Sequence, residues 1–95
     1  MQHLLSEIDK VPNKPKTLNS DITEALCAFC KQRAYLIKEV EKISCAGEIT
    51  AKLHDGASAH CYIDKTGVVT IDVLKALTET SFSMIKKNGL WRVKE

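Results

Sequence analysis

From Gly47 to Val73 the chain alternates apolar and polar residues in three short runs. Ile49, Ala51 and Leu53 share one face of the first run, Ala59, Cys61 and Ile63 of the second, and Val69, Ile71 and Val73 of the third. Alternation of period two marks strands with one buried face. Directly opposed antiparallel residues share a face, so the turns between these runs set a testable register. A two-residue Asp55-Gly56 turn would set Ala51 against His60 and mix the faces. An odd loop at Asp55-Gly56-Ala57 instead pairs Leu53 with Ala59, Ala51 with Cys61 and Ile49 with Ile63. Asp64-Lys65-Thr66-Gly67 places Asp and Gly where a type I turn with a glycine bulge wants them. That turn pairs Ile63 with Val69, Cys61 with Ile71 and Ala59 with Val73. One antiparallel meander satisfies both turns.

Upstream the period changes to that of a helix. Leu4, Leu5, Ile8 and Val11 predict a short helix over residues 2–11, stopped by Pro12-Asn13-Lys14-Pro15. Lys14 to Asn19 reads as a linker. Ser20 or Asp21 is the expected cap of a main helix. Ile22, Leu26, Phe29, Leu36, Val40 and Ile43 recur at spacings of four and three, interrupted at Arg33, with Cys30 and Ile37 widening the stripe. The spacing predicts one helix running to Cys45-Ala46-Gly47, about 35 Å long at 1.5 Å per residue. Beyond Val73 the pattern is mixed, and a strand with an irregularity near Lys75 is the reading adopted. Ser81–Lys87 and Leu90–Lys94 flank Asn88-Gly89, a two-residue hairpin signal that pairs Met84 with Val93 and Lys86 with Trp91. The expected architecture is a single α+β domain over residues 1–95. It has a short N-terminal helix and one long helix packed on an antiparallel sheet of four to five strands.

The ending, Thr80-Ser-Phe-Ser-Met-Ile-Lys-Lys-Asn-Gly-Leu-Trp-Arg-Val-Lys94, resembles the closing hairpin of NTF2-like (cystatin-like α+β) domains. These finish with an apolar strand, an Asn-Gly type of turn, Trp, a basic residue and an aliphatic one. Gly56-Ala-Ser-Ala59 is similar to a strand start in the same family. The resemblance implies helices packed in the concavity of a curved sheet and long C-terminal strands, hence a strand through Leu74–Leu77. Members include isomerases, dehydratases, transport factors and immunity or secretion components, so the resemblance leaves the activity open.

Composition narrows the field a little. The net charge of +2 gives no ground for a nucleic-acid partner, and Lys86, Lys87, Arg92 and Lys94 read as a solvated hairpin. No run approaches the roughly 20 apolar residues of a membrane span, and Met1–Glu7 lacks the pattern of a signal peptide. Four cysteines without an export signal point to free thiols in the cytoplasm.

The candidate chemistry follows from the register. Cys27-Ala-Phe-Cys30 has redox or metal spacing, but it lies inside the predicted helix with Cys30 in the apolar stripe, so packing is the expected role. Zinc would need Cys45, His54, His60 or Cys61 as well. The register turns Cys61 inward and His60 outward, so they cannot serve one centre together. Cys27 and Cys30 with Cys61 are the remaining set, and without a second short-spaced ligand pair no cofactor or metal is expected. On the outer sheet face Lys52, His60 and Asp72 fall in one row, and Thr50, Tyr62 and Thr70 in the next. A carboxylate beside a histidine suits acid–base work, yet such rows also serve as contact surfaces. Arg33 interrupts the helix stripe, where it either reaches water past the sheet edge or lines a helix–sheet cleft. The expectation is a non-enzymatic protein-interaction domain, or homodimer, contacting through Lys52, His60, Tyr62, Thr70 and Asp72. The alternative is a small-ligand-binding or isomerase-like NTF2-type domain using the cleft at Arg33 and Tyr35.

Overall fold

The computed structural model describes residues 2–11 and 18–94, less the side chains of Gln2, His3 and Leu5. The expected proline stop and most of the linker lie outside these residues. Two helices, α1 (Gln2–Asp9) and α2 (Ser20–Gln32), precede six strands: β1 (Ile37–Ile43), β2 (Ile49–Leu53), β3 (Ser58–Ile63), β4 (Val69–Lys75), β5 (Thr78–Lys87) and β6 (Leu90–Val93). The strands form one antiparallel sheet in chain order, and the core lies between its inner face and the helices. The architecture is thus α+β as expected, with six strands rather than four or five, and without the long helix.

The expected 35 Å helix is two elements. α2 is capped by Asn19, in place of Ser20 or Asp21: the Asn19 side chain accepts from the Ile22 N–H at 3.1 Å. Ile22, Ala25, Leu26, Phe29 and Cys30 bury one side of it. Fully burying a side chain such as Phe29 stabilises by about 1.5–3 kcal/mol. The helix then stops at Arg33. Its N–H donates to the Phe29 carbonyl, the Tyr35 N–H reaches back to the Cys30 carbonyl at 2.9 Å, and Ala34 between them sits at φ +58°. This is a Schellman ending with alanine where glycine is usual.

The residues that prolonged the helical stripe, Ile37, Val40 and Ile43, belong to β1. They are buried at every third position because the strand is bulged twice. Between Ile37 and Glu39, and again between Val40 and Lys42, two steps of β1 match one step of β2. Lys38 and Glu41 are the extra residues. Each bulge turns a period of two into a period of three, which imitates a helix.

Three successive hairpins then reuse one turn design. In Ser44–Glu48, Leu53–Ala57 and Asp64–Val68 the fourth residue is glycine, at φ +87°, +90° and +85° respectively. Its N–H donates to the carbonyl of the first residue, while the first residue's N–H donates to the carbonyl of the fifth. This is the type I turn with a glycine bulge. It fits Asp64–Gly67 as expected, and the β3–β4 register is the expected one at Ile63–Val69, Cys61–Ile71 and Ala59–Val73. Gly47 closes a hairpin rather than a helix. Leu53–Ala57 closes two residues earlier than expected, pairing Ala51 with Ala59 and Ile49 with Cys61. A slip of two leaves every face unchanged.

The irregularity near Lys75 is a reversal: Ala76 and Leu77 alone connect β4 to β5, with Lys75 paired to Thr78. The closing hairpin is as read, Met84 with Val93 and Lys86 with Trp91, over Asn88 and Gly89 at φ +53° and +79°. α1 buries Leu4 and Ile8, and Val11 follows it into the core.

Candidate interaction surface

Both helices pack on the inner side of the sheet, so among the described residues no helix covers the other side. The register arranges its side chains in rows. Lys42, Thr50, His60, Asp72 and Ser81 are successive cross-strand neighbours, as are Glu39, Lys52, Ser58, Leu74 and Glu79, and Tyr62, Thr70 and Ser83. His60 and Asp72 are therefore opposed, as the turn at Asp64 required. Lys52 is not in their row: the two-residue slip of β2 sets it against Ser58 and brings Thr50 to His60.

The centre of this face is a connected group. The His60 and Tyr62 rings lie 4.9 Å apart between centroids. His60 Nε2 stands 3.5 Å from a Glu48 carboxylate oxygen. The Ser81 hydroxyl donates to Asp72 at 2.6 Å. The nearby Asp72 carboxylate raises the Tyr62 pKa above the ordinary phenol value. A phenol shifted in that direction stays protonated at neutral pH, which argues against Tyr62 as a base. Thr70 lies on the same face but is buried, its hydroxyl 3.4 Å from Asp64 Oδ2 and 3.3 Å from the Val68 carbonyl. Asp64 itself is held below the usual carboxylate range, first by the Thr66 hydroxyl and then by the Val68 N–H. Val68, Leu74 and Ile85 add apolar surface around the polar centre.

Arg33 belongs to the other candidate site. It is not in the apolar stripe, because the helix ends there. It is exposed, with its guanidinium carbon 5.2 Å from the centroid of Phe82. It borders a hollow of about 350 Å³ lined also by Tyr35, Leu36, His54, Asp55 and Lys75. A second hollow, of about 430 Å³, shares Tyr35 and Lys75 and has Val73 and Phe82 in its lining. Phe29 stacks on Tyr35 at 5.6 Å and meets Phe82 at 5.1 Å, so the core supports this floor.

The cysteines divide by burial. Cys30 and Cys61 are buried, and burial pushes both thiols up to about 12. The Cys61 thiol points at the Ile22 carbonyl at 3.6 Å. Cys27 is half-buried and raised for the same reason, while Cys45 is exposed. Among the described residues no group of three or more His, Cys, Asp or Glu side chains is placed to hold a metal ion.

Gln32 and Glu24 were not legible as site residues. Gln32 bonds to the backbone of β6 at Trp91 and Val93, and Glu24 accepts from the Trp91 indole at 3.2 Å. These partners lie some sixty residues away, and no local pattern announces them. Glu48 was missed for a nearer reason, since the slipped register hid its position beside His60.

No described helix is long and apolar enough to cross a membrane. No family model matches this chain, and neither a curated protein nor a solved structure does.

Proposed function

We propose that the chain is a small non-catalytic interaction domain. It binds a protein partner, in the first place a second copy of itself, through the outer face of its sheet. The observation that carries this reading is the outer face centred on Tyr62, its ring tilted against His60 at 4.9 Å in the row beside Asp72. Tyrosine among small polar residues, with Leu74 and Ile85 nearby, is a common composition for a contact surface. Four cysteines that are all free support a reducing compartment, the cytoplasm, as its location. Sedimentation of the wild type and of Tyr62→Glu tests self-association. The wild type is expected to dimerise and Tyr62→Glu to remain a monomer, while Tyr62→Ala weakens the dimer by about fivefold or more. A wild type that stays monomeric up to its solubility limit would sink the homodimer.

A second reading is supported by the two joined hollows beneath Arg33. It is the NTF2-type alternative, in which an apolar carboxylate lies on Tyr35 and Phe82 with its charge toward Arg33 and Lys75. Titrating benzoate while following Tyr35 and Phe82 by NMR tests it. Shifts confined to those rings and abolished by Arg33→Ala are the expected result, and shifts scattered over the surface would discard it.

A further inference from the structure

β6 ends the sheet, and an edge strand presents a row of N–H and C=O groups without a neighbouring strand. The Lys94 N–H donates inward to the Ser83 carbonyl at 2.8 Å. Backbone groups alternate in direction along a strand, so those of Arg92 and Lys94 face β5 while those of Trp91 and Val93 face outward. Two of the outward groups are engaged by one side chain. Gln32 Nε2 donates to the Trp91 carbonyl at 2.7 Å, and Gln32 Oε1 accepts from the Val93 N–H at 3.3 Å. A residue of a parallel strand makes the same pair of bonds, to the carbonyl before and the N–H after the residue it faces. The Gln32 amide therefore stands in for one strand residue opposite Arg92.

Its position is held on both sides. Gln32 is the last residue of α2, immediately before the Arg33 cap. One turn pair earlier, Glu24 accepts from the Trp91 indole and lies 3.7 Å from the Lys86 ammonium. The opposite edge, β1, is protected differently, by the bulges that displace Lys38 and Glu41.

We infer that the β6 edge is a latent self-pairing surface that Gln32 holds shut, and that the partner it fits when opened is the same edge of a second copy. The outward groups are self-complementary. About a two-fold axis at Arg92, Trp91 of one copy faces Val93 of the other, and each outward N–H meets a carbonyl. The same axis sets Arg92 against its own counterpart. Like charges directly opposed across strands are destabilising, so Arg92 is a second, weaker guard.

The test uses the full chain carrying Tyr62→Glu, so that association through the outer face is removed. Gln32→Ala in that background is compared with its parent by amide exchange and sedimentation. In dilute solution the Val93 amide exchanges about tenfold faster, the scale of one lost hydrogen bond. On concentration a dimer forms and the Val93 amide slows again. Adding Arg92→Thr moves dimerisation to lower concentration, whereas Arg92→Thr with Gln32 intact stays monomeric and protected. Gln32→Glu keeps an acceptor for Val93 but no donor for Trp91, and falls between Gln32→Ala and the parent. Unchanged Val93 exchange in Gln32→Ala overturns the inference, as does a Gln32→Ala monomer at every concentration. Association through the outer face leaves Val93 exchange independent of concentration, so a failure of that reading is seen separately.

Discussion

The two ends of the sheet are built on different terms. At one end the chain reverses at Ser44–Glu48, Asp64–Val68 and Asn88-Gly89. Each reversal has glycine at positive φ, and the first two carry a side chain aimed at the turn's own N–H groups. The Ser44 hydroxyl accepts from Ala46 and Glu48, and Asp64 accepts from Thr66 and Val68. At the other end Leu53–Ala57 is one more glycine turn, but α2 turns into β1 at Ala34 and β4 into β5 at Ala76, with alanine at φ +58° and +55°. Leu77 is fully exposed there, and Leu36, 67% exposed, lines the first hollow. Positive φ at a residue with a Cβ costs roughly 1–2 kcal/mol. The first end therefore places positive φ on glycine and on Asn88, a residue type that tolerates it, and fixes register. The second keeps strain and apolar surface together, and such strain clusters where ligands or partners are held.

The sharpest way to break this contrast is at Gly47. A Cβ there would come within 2.7 Å of the Asn19 Cβ, on a backbone already at φ +87°. Strain and overpacking together are expected to cost Gly47→Ala about 2–4 kcal/mol in urea unfolding. A loss below about 0.5 kcal/mol would show that this end yields as readily as the other. At Gly67 a Cβ meets open space, so only the dihedral counts. Gly67→Ala is expected to lose about 1 kcal/mol by the same measurement, clearly less than Gly47→Ala.

At the other end the sign should reverse. Ala34→Gly and Ala76→Gly each relieve a strained dihedral and lose part of that gain to a freer unfolded chain. The net is expected to be a stabilisation of roughly 0.5 kcal/mol apiece. Destabilisation by either, read from thermal melts, would mean that the alanines are not strained.

The smallest effect is electrostatic. The folded-state pKa of Asp64 is depressed, so its contribution is fully present above the unfolded value of about 4. It is lost as pH falls through the lower folded value. Asp64→Asn is expected to flatten the acid side of the stability curve below pH 4 without changing its shape near neutrality. An equally steep acid limb in the variant would remove Asp64 as its cause.

Legibility in the sequence divides along the same line. The glycine turns at Asp64–Gly67 and Asn88-Gly89 state their geometry, and from them the β3–β4 and β5–β6 registers follow to the residue. His60 opposite Asp72 was readable for that reason. Asp55-Gly56 leaves open which residues close its loop, so β2 slipped by two and Lys52 was set beside His60. The alanine reversals carry no turn chemistry, so the helix ran through Ala34 and the strand through Ala76. The bulges at Lys38 and Glu41 completed the error by giving β1 a helical period. Arg33 looked like a buried charge only because the helix was carried past its end. The bonds from Gln32 to β6 follow no periodicity at all, since they depend on where a helix end meets a strand 59 residues later.

That separation also sets an order of events during synthesis. Every strand pairs with its neighbour in sequence, so the sheet can zip up one hairpin at a time as it leaves the ribosome. α2 emerges before all of them, and its floor is β3, β4 and β6. At about 5–20 residues per second, Trp91 follows Gln32 by roughly 3–12 s. Ile22, Leu26 and Phe29 have no sheet to cover them until β3 and β4 emerge, and the floor of α2 is complete only when the last hairpin closes.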